Sequence, residues 1–155
     1  MDREFVIDVS EVDALALRAL NSAGVIEREI ETFLTDAAIT VQSRATRLAP
    51  VDTGTLKNSI AYEVTARQAT VGTELHYAPY VHEGTGIYGP LRREIRPVTA
   101  SVLSWVGRDG RRVFARFVRG MRPRPFLRDA FSQSAADIQR FAERAGANIA
   151  RAVAG

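Results

Sequence analysis

The chain of 155 residues contains no cysteine, which excludes a disulfide framework and a zinc site built from thiolates. Only two histidines, His76 and His82, remain for metal chemistry. Glu83 stands beside His82, but a metal site made from these residues would need further oxygen or nitrogen ligands, which the sequence does not place. We therefore expect neither a metal site nor a bound cofactor.

Long apolar runs are also missing: no stretch approaches the roughly 18 to 20 residues that a membrane-spanning helix needs. The segment Met1-Asp2-Arg3-Glu4 lacks the basic and then apolar pattern of a secretory signal. We expect a soluble protein that is made in the cytoplasm and has no membrane partner. The length and the 46% content of hydrophobic residues favour a single domain over residues 1–155.

Carboxylates are scarce in one part of the chain. Residues 92–128 contain eleven arginines but only Glu94 and Asp109 as acids, whereas the rest of the chain is net acidic. The arginines are Arg92, Arg93, Arg96, Arg108, Arg111, Arg112, Arg116, Arg119, Arg122, Arg124 and Arg128. This segregation favours contacts between basic and acidic faces of neighbouring copies. A second interpretation stays open, in which the arginines contact the phosphates of nucleic acid.

Two long segments have apolar residues at spacings of three and four, which predicts two amphipathic helices. In residues 25–49 these positions are Ile26, Ile30, Phe33, Ala37, Val41, Ala45 and Leu48. Near the C-terminus they are Leu127, Ala130, Phe131, Ile138, Phe141, Ala145, Ile149 and Val153. Pro50 ends the first of these helices. Residues 5–9 alternate as a short strand would, and a brief helix is predicted over residues 10–20.

Between the two long helices the apolar period shortens towards two, which is typical of strands. Residues 60–64 and 71–73 form one predicted hairpin, with a turn over residues 66–70. Residues 102–106 and 113–118 form a second hairpin, an Arg-rich extension over residues 98–118, although residues 99–105 could instead form a short helix. The predicted fold is α+β, with long N- and C-terminal helices packed on a small antiparallel sheet.

Asp52-Thr53-Gly54 matches the short signature of aspartic proteases, in which two carboxylates about 3 Å apart share one proton. Its context does not fit, because the triplet follows a long helix and Pro50 and not an apolar strand. The context favours a turn in which Asp52 or Thr53 caps the next helical turn and Gly54 gives it room. We expect no catalytic residues and no enzyme.

Residues 84–89, Gly-Thr-Gly-Ile-Tyr-Gly, have the GxGxxG spacing of dinucleotide sites. Such a site also needs a preceding strand and the N-terminus of a following helix. The βαβ unit is absent and Pro90 follows directly. The segment therefore predicts a flexible or turning surface loop.

Tyrosines and arginines near prolines supply candidate interface residues. Exposed tyrosines are common at protein interfaces, although core packing is an equal alternative for those at 77, 80 and 88. Arg122-Pro123-Arg124-Pro125 cannot continue a helix, so we expect an extended cationic segment over the surface before Phe126 begins the last helix. The candidate interface residues are Tyr77, Tyr80, Glu83, Arg119, Arg122 and Arg124.

Three groups of residues, taken in order, resemble the bacteriophage tail-completion and neck (head–tail connector) proteins of long non-contractile-tailed phages, the siphoviruses. The first is Ala49-Pro50-Val51-Asp52-Thr53-Gly54 with Leu56, Ser59 and Ile60. The second is Val71-Gly72, Tyr77-Ala78-Pro79-Tyr80-Val81 and Glu83-Gly84-Thr85. The third is Pro125-Phe126-Leu127 with Ala130.

The resemblance implies a structural virion protein of the tail or neck, without catalysis. It further implies a homo-oligomeric ring of six copies around the DNA channel, in contact with other connector and tail-tube proteins. A tail terminator that caps the tail tube is the alternative within this class. A non-specific nucleic-acid-binding protein that uses residues 92–128 is the alternative from another class. About 39 residues between Thr85 and Pro125 depart from shorter members of the family, so the position within the particle stays open.

Overall fold

The computed structural model describes residues 22–154, so the strand predicted at residues 5–9 and the helix predicted at residues 10–20 lie outside the described residues. The chain divides into two compact units. The described part of unit 1 comprises residues 22–40, 62–70 and 134–154, and unit 2 comprises residues 41–61 and 71–133. The single-domain organisation stays a prediction.

Helix α1 spans Ala23–Leu48, and its predicted length is confirmed. Pro50 follows two residues after its end, where the missing amide and the ring prevent a further turn. The buried residues of this helix are Ala38, Val41 and Ala45, and Ala49, directly after its end, is buried as well. Two residues of the predicted apolar stripe, Ile30 and Leu48, are instead 37% and 38% exposed. Apolar spacing identifies a face that can be buried, but not where along the helix another element covers it.

The chain then turns into a short helix, α2, which spans Thr55–Ser59. Its N-cap is Gly54, with φ 84°, and no side chain caps it. The expectation that Asp52 or Thr53 occupies the cap position was therefore wrong. The Thr53 hydroxyl does accept the Thr55 amide, at 3.4 Å, but a glycine takes the cap because the left-handed backbone there favours it.

Both predicted hairpins are present. Strand β1 spans Ala61–Val64 and pairs with β2, Ala69–Gly72, so the intervening turn covers residues 65–68 and not 66–70. In the second hairpin, β3 spans Leu103–Val106 and β4 spans Arg112–Ala115, with Trp105 opposite Val113. The alternative of a short helix over residues 99–105 was wrong. Helices together with small antiparallel sheets confirm the α+β class.

The remaining helices are α3, Ala78–Glu83, a 3-10 turn at Gly86–Tyr88, and α4, Phe126–Ala154. In α4, Ala130 is fully buried, whereas Phe131, predicted for the same stripe, is 62% exposed. Consecutive helical residues point about 100° apart, so the face that buries Ala130 turns Phe131 outwards. No helix among residues 22–154 is long and apolar enough to cross a membrane.

Within unit 1, α1 and α4 run antiparallel. The Ser22 hydroxyl donates to the Ala152 carbonyl at 3.0 Å, and the Asn148 amide donates to the Glu29 carboxylate at 2.8 Å. Unit 2 has its own apolar core, in which Phe126 is the most deeply buried of the large side chains among the described residues. The core residues of unit 2 are Val41, Ala45, Ala49, Leu56, Ile60, Ala78, Phe126 and Ala130.

Candidate subunit interface

The cationic segment before α4, residues 119–125 (the strap), lies on the loop formed by residues 84–89 (the glycine loop). The Thr85 amide donates to the Met121 carbonyl at 2.9 Å, and the Thr85 hydroxyl accepts the Met121 amide at 2.9 Å. The Ile87 amide donates to the Arg119 carbonyl at 2.8 Å. Residues 122–125 do not continue a helix, as predicted, and hydrogen bonds to the glycine loop hold the backbone of the strap.

Glycines make this close approach possible. A Cβ placed on Gly86 would lie 2.1 Å from the Arg119 carbonyl oxygen, and one on Gly120 would lie 2.2 Å from the Thr85 carbonyl oxygen. Gly84, Gly86 and Gly120 also have positive φ angles, which L-residues with side chains rarely adopt. The GxGxxG spacing therefore serves contact between two backbone segments. The loop turns as predicted, but it is packed against the strap and does not lie free on the surface.

We expect Gly120→Ala to lower the free energy of unfolding by about 1–3 kcal/mol, because it adds a clash to an unfavourable backbone conformation. Gly110→Ala is the matched control, since Gly110 also has a positive φ angle but has open space around its Cβ position. Urea denaturation measures both variants. Equal losses would mean that the contact between strap and glycine loop adds nothing beyond the backbone strain.

The strap arginines are exposed, and one of them also contacts the glycine loop through its side chain. Arg119, Arg122 and Arg124 are exposed, and the guanidinium carbon of Arg122 lies 5.4 Å from the centre of the Tyr88 ring. At this distance the ring face attracts the cation. The strap thus presents charged side chains from a backbone that is already ordered.

One groove of unit 2 brings together several residues that the sequence analysis named. It has a volume of about 590 Å³, and we call it the basic groove. Its lining includes Pro50, Asp52, Thr53, Gly54, Tyr77, Arg108, Arg122 and Arg124. Asp52 is paired with Arg108, with 3.3 Å between the carboxylate oxygen and the guanidinium nitrogen. Since the lining contains three arginines and one carboxylate, the groove is positively charged and is suited to an acidic partner.

Other named residues lie elsewhere. A second groove of unit 2, the apolar groove, has a volume of about 720 Å³ and is lined by Tyr80, Glu83, Gly84 and Thr85 among others. Its apolar lining comprises Pro79, Pro90, Leu91, Ile95, Pro97 and Val98 besides Tyr80. Arg119, Pro125, Phe126 and Leu127 line neither groove. The motif residues Pro125 and Leu127 are half-buried at the start of α4, beside the buried Phe126.

His82 has a positioning role that sequence reasoning missed. Its Nε2 accepts the Arg128 amide in the first turn of α4, at 3.4 Å, and its ring lies edge-on to Phe126, with 5.6 Å between the ring centres. Because Nε2 accepts, the proton sits on Nδ1, which donates to the Glu83 carboxylate at 2.6 Å. Arg128 lies 46 residues away along the chain, so no local pattern marks this contact.

All eleven arginines of residues 92–128 are exposed. Three of them pair with carboxylates: Arg96 with Glu94, Arg108 with Asp52, and Arg111 with Asp109. The other eight form no ion pair with a carboxylate of residues 22–154. Within the same part of the chain, no group of three or more His, Cys, Asp or Glu side chains could hold a metal ion. The basic surface is therefore open to an anionic partner.

Comparison with known families adds one finding. Residues 14–84 match the family model described as “Bacteriophage HK97-gp10, putative tail-component”. The match supports the phage tail or neck assignment made from the motifs, and it covers the first motif group and the second except for Thr85. The third group and the basic residues 92–128 lie beyond its end. No curated protein and no solved structure matches the chain.

Proposed function

Proceeding from the match to a phage tail component, we propose that the protein is a structural subunit of the virion that forms a ring of six copies at the head–tail interface. The ring completes the tail or joins it to the head around the DNA channel. The observation that carries this proposal is the strap: its exposed Arg122 and Arg124 line the basic groove, and the glycine loop holds its backbone in place.

A ring subunit must offer two different surfaces to identical neighbours. In a ring, one surface of each copy binds a different surface of the next copy, and this heterologous contact repeats by rotation until the ring closes. The basic groove and the strap supply one of these surfaces, and it is positively charged. The residues outside 92–128 are net acidic and supply the complementary charge on the neighbouring copy or on another connector or tail-tube protein. Since the strap is already ordered, little conformational entropy is lost when it docks.

In this role the protein needs no catalysis, cofactor or metal. Asp52, the carboxylate of the protease-like triplet, forms an ion pair with Arg108 across the basic groove. The side chains of that pair are 75% and 88% exposed. Such a position differs from the shared-proton arrangement of two close carboxylates that proteolysis requires.

Deletion of the gene in the phage tests the proposal and separates it from the terminator alternative. Without a completion or joining protein, we expect separate heads and tails of normal length under the electron microscope. Purified protein added to the extract should restore joined particles. Tails of uncontrolled length would favour a terminator, since an uncapped tube continues to add subunits. Normal infectious particles in the deletion strain would refute both roles.

The exposed arginines of residues 92–128 also favour a second candidate, non-specific contact with DNA. We expect the free protein to bind duplex DNA only weakly at physiological salt, because the arginines serve protein contacts first. Fluorescence anisotropy with a labelled duplex over a range of salt concentrations measures this. Sub-micromolar affinity that persists at about 200 mM salt would favour the nucleic-acid role instead.

A further inference from the structure

The basic groove carries positive charge that the described part of the chain does not neutralise. The charged residues of its lining are three arginines and Asp52. Asp52 is engaged by Arg108, so Arg122 and Arg124 supply the uncompensated charge. Neither of these two forms an ion pair with a carboxylate of residues 22–154. A partner that binds in the groove is therefore acidic.

Apolar side chains lie in the same groove. Val51 is 67% exposed and Met121 is 41% exposed in its lining, and Leu56 and Val81 line it at lower exposure. Covering apolar surface is favourable because it removes that surface from water. Duplex DNA would leave Val51 and Met121 uncovered, since phosphates offer them no apolar surface. The groove is thus best matched by an acidic segment that also carries apolar residues.

Residues 2–13 (the acidic segment), which lie outside the described residues, have this composition. They contain five carboxylates and one arginine, and no stretch of twelve residues elsewhere in the chain has so large an excess of acids. Extended backbone directs alternate side chains to opposite faces. The strand predicted at residues 5–9 therefore separates its apolar residues from the acids at positions 4 and 8. The apolar residues are Phe5, Ile7 and Val9, and the carboxylates are Asp2, Glu4, Asp8, Glu11 and Asp13.

The carboxylates of α1 are a poorer match for the groove. Of the four in this helix, Glu29 accepts a hydrogen bond from the Asn148 amide and Asp36 pairs with Arg144. Two exposed carboxylates, Glu27 and Glu31, remain in α1, against five in the acidic segment.

We propose that the acidic segment of one copy binds in the basic groove of the next copy. Glu4 and Asp8 pair there with the two strap arginines of the groove. The apolar face of the segment covers Val51 and Met121. This inference rests on the proposed ring and names the contact that builds it. A second copy is the occupant because a ring needs two different surfaces that bind each other, and the segment and the groove are two such surfaces on one chain.

Cross-linking in purified phage particles tests the contact. The natural chain has no cysteine, so Val6→Cys and Val51→Cys introduce unique thiols in the segment and in the groove. A short thiol-reactive cross-linker should convert the double variant into a ladder of oligomers that ends at the ring size. Each single variant should stay monomeric. Val6→Cys with Val98→Cys is the matched control and should give no ladder, because Val98 is 97% exposed but does not line the basic groove.

Every other cross-linking result overturns the proposal. An internal cross-link without a ladder would place the segment in the groove of its own copy. Dimers from Val6→Cys alone would mean that two segments bind each other. Absence of any cross-link in the double variant would mean that the segment does not reach the groove.

A charge exchange gives a second measurement, the yield of joined particles in the complemented gene deletion. Glu4→Arg with Asp8→Arg should lower this yield by at least about tenfold, because it places like charges together. Arg122→Glu with Arg124→Glu should do the same. The variant that combines all four substitutions should recover most of the loss, since opposite charges meet again.

Glu27→Arg with Glu31→Arg is the matched control for this rescue. It makes the same change in charge at two exposed positions of α1 and should not restore the variant that carries Arg122→Glu and Arg124→Glu. Circular dichroism checks that each variant folds. Lack of specific rescue refutes the pairing, and it is also the result expected if DNA phosphates occupy the groove.

The two proposals can fail separately. If gene deletion abolishes head–tail joining but the double cysteine variant gives no ladder, the contact between segment and groove is refuted and the proposed function stands. Particles that join normally without the gene would refute the proposed function itself.

Discussion

Replacing Phe126 with alanine is expected to lower the free energy of unfolding by about 3–5 kcal/mol. Phe126 is 2% exposed and is the first residue of α4, where it packs edge-on against His82. The substitution removes apolar area from the core of unit 2 and leaves a cavity that the fixed helix start cannot fill. Urea denaturation followed by circular dichroism measures the loss.

Phe131→Ala is the matched control, because it removes the same side chain from the same helix at a position that is 62% exposed. We expect that variant to change stability by no more than about 0.5 kcal/mol. A similar loss in the two variants would mean that the N-terminal end of α4 does not anchor unit 2. The prediction would then be wrong even if both proteins were less stable than the natural chain.

Reversing the charge of Arg122 and Arg124 together, to glutamate, is expected to abolish joining of heads and tails while the protein still folds. Both side chains are exposed and line the basic groove, so their replacement leaves the core intact. Reversal turns attraction to an acidic partner into repulsion, which costs several kcal/mol at an interface. Complementation of the gene deletion, with electron microscopy of the particles, reads out the effect.

A control with the same change in net charge is the pair Arg28→Glu and Arg67→Glu, two exposed arginines of unit 1. That variant should still complement. Thermal unfolding must show that the strap variant folds, since Arg122 also loses its contact with the Tyr88 ring. If the strap variant joins heads to tails as well as the natural protein does, the strap is not an assembly contact.

The elements of this fold were predictable where their signals are local. Apolar spacings of three and four, with Pro50 as a stop, predicted α1 and α4 to within about two residues at each end. The change to a period of two predicted the first hairpin, whereas for the second it left a short helix over residues 99–105 as an equal alternative. The burial of single residues was less predictable, as Ile30 and Phe131 show, because burial depends on what covers a face and not on the face alone.

The candidate site was predictable only as a set of residues. Exposed arginines, a proline-bounded extended segment and the three motif groups were visible in the sequence, and the family match supports the class of protein they indicated. That Asp52, Tyr77 and Arg122 line one groove was not visible. These residues are far apart in the chain, and no spacing rule relates them.

The sequence by itself determined the two long helices, the first hairpin and where the positive charge is concentrated, because backbone preferences and apolar periods act over a few residues. It did not predict α3, and it left residues 99–105 open between strand and helix. Only the tertiary structure decided what the glycine loop and His82 do. The backbone of the glycine loop lies so close to the backbone of the strap that a Cβ atom on Gly86 or Gly120 would clash. His82 accepts a hydrogen bond from the Arg128 amide at the start of α4. Both roles arise from contacts between residues more than thirty positions apart, and such contacts exist only once the chain has folded.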